Sequence, residues 1–392
     1  MLKHSNGSRT GYSDSHRNKE RRKHIVIFSI DPWDGFMYQR HHFALRFAND
    51  GNKVSYIEKA PLRTISIKFF KDVLRYIRYG PNKHSKLKNP KPNNINIHSS
   101  NLLPGGLLFD IYNKIRIKYL AKKISSQHDI DIFITYNPRQ YVLDFIDIAK
   151  PKVTAYVGVN FFLGMNRDQR PIAKEEQRFI RRVDLVFAVS KYLEEYYKRS
   201  GVKNVVRCPH GVDYNIFHQA CRFSEGTSLK NIYYFGNFWY YMDTDFYNYL
   251  SKRGYNIFIV GNVAPGIHLD LNIKVIPPVT NTALPRLLYE ADALLLAYKV
   301  DRRSLHVQPA KLFECFATGK PVIATNIYEF SDYKQAIYLA KTPKEAENYL
   351  RTINENNFKK IQMKQLQIAA EADWTNRFKS LETYLNRILQ NK

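Results

Sequence analysis

The chain of 392 residues is 44% hydrophobic and holds 28 Tyr and 24 Phe, which suits a large buried core and excludes a disordered protein. Its formal net charge of +26 demands a negatively charged partner: nucleic acid, anionic lipid or a phosphorylated substrate. Three cysteines, Cys208, Cys221 and Cys315, are too few and too scattered for a disulfide framework or a metal knuckle, and fit a reduced compartment.

No run approaches the roughly 18 apolar residues needed to span a bilayer; Ala293-Leu294-Leu295-Leu296-Ala297 is typical. Met1 to Lys23 are polar and charged without an apolar centre. Residues 1–23 are therefore expected to be a disordered basic tail on a cytoplasmic protein. From His24 to Ile30 a buried strand is predicted. The loop Asp31-Pro32-Trp33-Asp34-Gly35-Phe36 follows, then a helix from about Gln39 to Asp50 closed by Gly51, and a strand over Lys53–Glu58. This β-loop-α-β opening is Rossmann-like, and in such sheets ligands bind at the carboxyl ends of the strands.

Ile65 to Arg78 is predicted as a basic amphipathic helix. Ile67, Phe70, Val73, Leu74 and Ile77 share one face, while Lys68, Lys71, Arg75 and Arg78 share another. Such a helix either lies on an anionic membrane surface, the favoured expectation, or packs on the sheet with solvated lysines. From Arg63 to Lys91 the chain holds nine basic residues against the single acid Asp72. Leu102-Leu103-Pro104-Gly105-Gly106-Leu107-Leu108-Phe109 reads as a second apolar dip into lipid or as a buried turn.

Alternation resumes with helices near 111–127, 141–149, 172–182 and 191–200, and strands over 131–135, 152–157, 184–189 and 204–208. Ser190 is a predicted N-cap. A second Rossmann-like unit opens at Asn231-Ile232-Tyr233-Tyr234-Phe235-Gly236-Asn237-Phe238, with later strands over 256–260, 273–276, 292–297 and 321–324. Gly236 ends the first of these strands, where a glycine lets backbone approach phosphate.

The most informative stretch runs from Gln308 to Thr325. Pro309 suits the first turn of a helix and Gly319 the left-handed residue beyond its end, before the buried strand Pro321-Val322-Ile323-Ala324. Lys311 and Glu314 are three apart and share a face near a helix N-terminus that favours phosphate. That is the chemistry of a nucleotide diphosphate site, with Lys311 and amides on the phosphates and Glu314 accepting the ribose hydroxyls.

Pro309-x-Lys311-x-x-Glu314-x-x-Ala317-x-Gly319-Lys320-Pro321-Val322 resembles the donor-site helix of GT-B glycosyltransferases. His306 stands where many retaining members have another Glu, which moves the resemblance toward teichuronic acid and exopolysaccharide glycosyltransferases. Ala188-Val189-Ser190-Lys191-Tyr192-Leu193 and Pro209-His210-Gly211-Val212-Asp213 are similar to the end of a GT-B N-terminal domain and its linker, with His210 where Asn is more usual. Val275-Ile276-Pro277-Pro278-Val279 resembles the loop on which the donor base rests. Asp373 to Leu389 is similar to the helix that crosses back to the first domain.

The resemblance implies an α/β fold of two doubly wound domains facing across a cleft: a 24–210 acceptor-binding domain, a 211–372 donor-binding domain and a 373–392 crossover helix. It implies donor contacts from Gly236, Asn237, Ile276, Pro277, Gln308, Lys311 and Glu314. Lys252 and Arg253 come too late to replace the basic pair that many members carry after this glycine, leaving phosphate neutralisation mainly to Lys311. No Asp-x-Asp is read in a plausible donor loop, so neither metal nor other cofactor is expected.

An inverting reaction needs a base, and Asp34 in the first loop is the best placed, with Asp31, His41 and His42 as others. Gly158-Val159-Asn160-Phe161 lacks the acidic residue of related enzymes, leaving Asn160 to orient the acceptor at most. The expected activity is transfer of a sugar from a nucleotide diphosphate donor, a UDP-sugar, to a polyprenyl-linked or saccharide acceptor in surface polysaccharide synthesis. The enzyme is expected on the inner face of the cytoplasmic membrane, docked through Ile65–Arg78. The alternatives are a nucleic-acid-binding protein, for which no recognised module is present, or a sugar-nucleotide epimerase on the same fold.

Overall fold

The structure, a computed structural model, describes residues 22–62, 88–104, 107–164, 170–222, 229–301, 304 and 309–392. The Ile65–Arg78 helix, Gln308 and nearly all of the N-terminal tail lie outside them. Among the described residues, thirteen strands form two parallel sheets.

The first sheet contains β1 (His24–Phe28), β2 (Lys53–Glu58), β3 (Ile95–Ser99), β4 (Ile132–Thr135), β5 (Val153–Gly158), β6 (Leu185–Ala188) and β7 (Val205–Arg207), in the order β3-β2-β1-β4-β5-β6-β7. The second contains β8 (Asn231–Phe235), β9 (Asn256–Val260), β10 (Lys274–Ile276), β11 (Ala293–Leu296), β12 (Val322–Thr325) and β13 (Tyr338–Ala340), in the order β10-β9-β8-β11-β12-β13. Every pairing is parallel. Central strands such as β1 and β5 are buried along their whole length, as expected for continuous apolar runs with helices on both faces. In both sheets the order reverses next to the first strand, between β1 and β4 and between β8 and β11. Those are the switch points where doubly wound sheets open a crevice.

Helix α1 (Gln39–Asn49) packs on β1 and β2 of the first sheet, and α2 (Leu107–Ser125) packs on α3 (Gln140–Ala149). Then come α4 (Arg170–Phe179) and α5 (Lys191–Arg199), the latter capped by Ser190 Oγ, which accepts from Leu193 N at 3.2 Å. The second half carries α6 (Tyr214–Phe217), α7 (Thr244–Lys252), α8 (Leu284–Tyr289), α9 (Lys311–Ala317), α10 (Pro343–Thr352), α11 (Glu355–Glu371) and α12 (Trp374–Gln390).

Among the described residues two large apolar cores result, beside a small cluster of Phe162, Ile172 and Ala173. One joins the first sheet with Trp374, Phe378, Leu381 and Leu385 of α12; the other runs from Val212 to Ala372. Helix α12 thus belongs by packing to the opposite half from the chain that precedes it. Phe378 meets Phe47 edge-on at 4.7 Å, and Trp374 stacks on His42 at 4.3 Å. The missing side chain of Gly211 leaves room for the Trp374 ring, since a Cβ there would overlap it.

The expected strands are found, mostly within one or two residues. Edge strands β3 and β13 were not read, because short and partly exposed strands leave little apolar signal. Leu102 to Phe109 is not one turn: Leu102 is buried, Leu103 is exposed, 105 and 106 lie outside the described residues, and α2 begins at Leu107.

Candidate active site

The β8/β11 switch point is built for close approach of a ligand. Gly236, just past β8, has a φ of +106°, and a Cβ there would overlap the Lys311 side chain. Lys311 therefore lies directly across the Gly236 α-carbon. Gly261, after β9, has a φ of +153° and would collide with the Gly236 carbonyl if it carried a Cβ. Two left-handed glycines in contact let the chain turn away from the strand ends and leave the lysine over bare backbone.

Helix α9 presents Lys311 and Glu314 from one turn, and Gly319 beyond its end has the expected left-handed φ of +59°. Pro309 lies two residues before the helix rather than in its first turn, its carbonyl accepting from Leu312 N at 3.1 Å. Neither Lys311 nor Glu314 has a hydrogen-bond or ion-pair partner among the described residues. Burial pushes the Glu314 carboxyl up to about 7; Lys311 opposes the shift and Asp213 adds to it. A half-buried acid and ammonium with no partner of their own are the groups a ribose and a diphosphate would satisfy. Lys320, by contrast, is spent on structure: its ammonium donates to the carbonyls of Ala291, Tyr289 and Arg222 at 2.7, 3.1 and 3.3 Å.

The other expected donor residues rim this point. Exposed Asn237 accepts from the Asn262 amide at 3.3 Å, and the Ile276 carbonyl is taken by Gly261 N at 2.9 Å. Pro277 is exposed, and since Pro277 and Pro278 lack amide hydrogens, Val279 offers the first free-standing N–H after Ile276. Beyond Asn237, where a basic pair was absent from the sequence, Trp239, Tyr240 and Tyr241 present exposed rings. Tyr240 is anchored to the Pro265 carbonyl at 2.5 Å and Tyr241 stacks on Tyr298 at 6.1 Å. An Asp-x-Asp run does occur here, Asp243-Thr244-Asp245, but Asp243 caps α7 by accepting from Asp245 N at 3.2 Å.

Across the cleft, the β1/β4 switch point is closely packed. Arg40 contacts the Asp31 carboxylate and lies over the rings of Tyr38 and Tyr136, at 4.7 and 5.2 Å. His210 joins the two halves: burial, Arg40, Arg377 and Lys311 together hold its imidazole down to about 4, so it is neutral at pH 7. Trp33 Nε1, Arg40 Nε and Tyr136 Oη are buried without a hydrogen-bond partner among the described residues. Arg207 of β7 bridges the halves on the other side, reaching Glu329 at 2.5 Å and Asp332 at 2.7 Å. Lys191 adds its ammonium to Asp332 and its backbone N–H to Glu329.

No family model matches the chain and no curated protein matches its sequence, but solved structures match its shape. A glycosyltransferase from Rickettsia africae aligns with a TM-score of 0.62 at 13% identity, over 95% of this chain and 100% of that one. Sucrose-phosphate synthase from Thermosynechococcus elongatus gives 0.62 at 11% identity, covering 95% and 100%. Anabaena HepE, solved with UDP-glucose and with UDP and glucose, gives 0.61 at 12% identity, covering 93% and 99%. The chain has the GT-B fold.

Within that fold the expected base residues fall in different places. Asp34 is exposed, and one of its oxygens accepts from Asn89 N at 3.1 Å, which ties the first loop to residue 89. His41 is fully buried with both ring nitrogens in use: Nδ1 accepts from Tyr38 N at 3.0 Å and Nε2 faces the Pro32 carbonyl at 2.9 Å. Burial, chiefly, lowers it to about 4, so it is a neutral strut under the loop. His42 is lowered to about 3 and stacked on Trp374. Asp31 is the loop carboxylate that meets Arg40 at the switch point. The aromatic rim at 239–241 and Tyr136 carry no such signal in the sequence, where Trp and Tyr look like ordinary core.

Proposed function

We propose that this protein is a glycosyltransferase that moves a sugar from a nucleotide diphosphate donor, a UDP-sugar, to a saccharide or polyprenyl-linked acceptor. The carrying observation is Lys311: an ammonium held over the bare backbone of Gly236, one helical turn from Glu314, neither of them paired among the described residues. The ammonium takes the diphosphate and stabilises the charge that builds on it as the glycosidic bond breaks, without a metal. Glu314, as a carboxylate, accepts the ribose hydroxyls, while Ile276 and Pro277 border the base. The preference for UDP draws on the complexes of HepE with UDP and UDP-glucose.

On the acceptor side, Trp33 Nε1, Arg40 Nε and Tyr136 Oη, unpartnered among the described residues, suit an oxygen-rich ligand, and the rings of Trp239 to Tyr241 offer a face for the apolar side of a sugar. Asp31, beside Arg40, takes the acceptor proton if the transfer inverts the anomeric centre. The charge of +26 and the basic stretch 63–91 support work at an anionic membrane on a lipid-linked acceptor for surface polysaccharide.

Calorimetric titration of UDP, GDP and ADP into the wild type, Lys311→Ala and Glu314→Ala tests the reading. One nucleotide binds selectively, and each variant weakens it by about 1.5–3 kcal/mol, as for charged hydrogen bonds. Absence of binding to any nucleotide by folded protein would remove the donor site. Turnover of a UDP-sugar without any acceptor would instead favour an epimerase.

A further inference from the structure

Helix α2 carries an apolar stripe that no described residue covers. Ile111, Ile115 and Tyr119 stand four residues apart, so they align along the helix, and they are 70%, 66% and 54% exposed. Tyr112 and Leu103 widen the stripe at its start. On the opposite side Ile117, Leu120, Ala121 and Ile124 are buried in the core, so the outward stripe is not needed for folding. An exposed patch of this kind marks an interaction surface. Lys114, Lys118, Lys122 and Lys123 flank it, all exposed, with Asp110 the one acid of the helix.

Charge selects the partner. A second copy would set the same lysines against each other, and the 63–91 stretch of this chain, with nine basic residues and one acid, repels the face as well. An anionic bilayer complements both properties at once: lipid phosphates meet the lysines, and isoleucine and tyrosine enter the boundary between headgroups and acyl chains.

We propose that α2 docks this protein on an anionic lipid surface, with Ile111, Ile115 and Tyr119 inserted and Lys114, Lys118 and Lys122 on lipid phosphates. The helix begins at the carboxyl edge of the first sheet. There Asn113 holds both backbone groups of Leu103, at 2.9 and 2.8 Å, and Arg116 donates to the carbonyls of Ser100 and Ser99 at the end of β3. Docking by this face brings the strand ends, and so the cleft mouth, to the lipid. The inference deepens the proposed function by naming the surface that meets a lipid-borne acceptor; it rests on that reading for its purpose and not for its test.

The test is flotation with vesicles of phosphatidylcholine alone and of phosphatidylcholine mixed with phosphatidylglycerol. The wild type floats with the mixed vesicles only. The pair Ile111→Ser with Ile115→Ser, and separately Lys114→Glu with Lys118→Glu, each cut the bound fraction about tenfold, with the thermal unfolding midpoint unchanged. Nucleotide titration is run apart, so a failed donor site and a failed lipid face are told apart. Undiminished binding by both variants overturns the proposal, as does loss in the lysine variant alone, which would mean a charge film without insertion. A wild-type dimer that the isoleucine variant dissociates, with no vesicle binding, would also overturn it by assigning the face to self-association.

Discussion

The two switch points share a topology and differ in what fills them. At β8/β11, Gly236 and Gly261 strip the backbone of side chains, and Lys311 and Glu314 have no hydrogen-bond or ion-pair partner among the described residues. At β1/β4, the space holds Trp33, His41, Tyr56 and Arg40, packed ring on ring: Trp33 meets Tyr56 at 4.9 Å, and Tyr56 donates to Ser29 Oγ at 2.8 Å. A diphosphate brings concentrated charge and needs an uncommitted cation on open backbone, whereas a neutral sugar hydroxyl needs shape and a few oriented donors. One sheet order thus supports two kinds of recognition, decided by the residues after the first strand of each half.

The largest expected effect comes from filling the open side. Gly236→Ala forces a left-handed φ on a side chain and drives it into Lys311, so nucleotide affinity falls by at least the amount expected for Lys311→Ala, about 1.5–3 kcal/mol. Calorimetry checks it, and wild-type affinity in that variant would show that Lys311 does not need this bare backbone.

Next is the brace between the halves. Arg207→Ala leaves the fully buried Glu329 without its guanidinium and costs about 3 kcal/mol of stability. Urea unfolding measures it, and a change below about 1 kcal/mol would mean that Lys191 suffices.

A kinetic contrast sharpens the packed side. Asp31→Asn lowers kcat about a hundredfold with nucleotide affinity kept, while Asp34→Ala stays within about twofold, because its exposed carboxylate only ties the loop. The reverse pattern in steady-state kinetics would return the base to Asp34.

The smallest effect is a pH slope away from both sites. Glu176 accepts from the hydroxyls of Tyr156 and Tyr197, each at 2.8 Å, and burial pushes it up to about 7. The folded state therefore holds a proton that the unfolded chain releases near pH 4.5, so this group weakens the fold as pH rises from there through about 7. Glu176→Gln, which mimics the protonated acid, removes that decline. Thermal melts of both proteins across this range check it, and parallel curves would sink the assignment.

Much of the donor half was legible in the chain. Lys311, Glu314 and Gly319 sit within nine residues of one another, and a helix turn with its left-handed end is a local matter of backbone geometry. The alternation of strands and helices followed from apolar periodicity, and the pair of doubly wound domains from the resemblance to GT-B glycosyltransferases. Side-chain partners did not. Asp34 in the first loop and His41 at the start of the next helix both read as candidate bases, yet His41 is enclosed by Pro32, Tyr38 and Tyr56 and Asp34 is tied to Asn89, 55 residues away.

The sequence by itself determined the local devices: which residues cap, which glycines turn, and which lysine and glutamate share a helical face. Only the tertiary structure decided which of those groups remain unpartnered. It laid Lys311 over Gly236, brought Arg40, Arg377 and Lys311 near enough to His210 to disfavour its charge, and turned Ile111, Ile115 and Tyr119 outward. The physical reason is distance along the chain: hydrogen bonding and burial are settled by neighbours that parallel sheets bring together from far-separated segments.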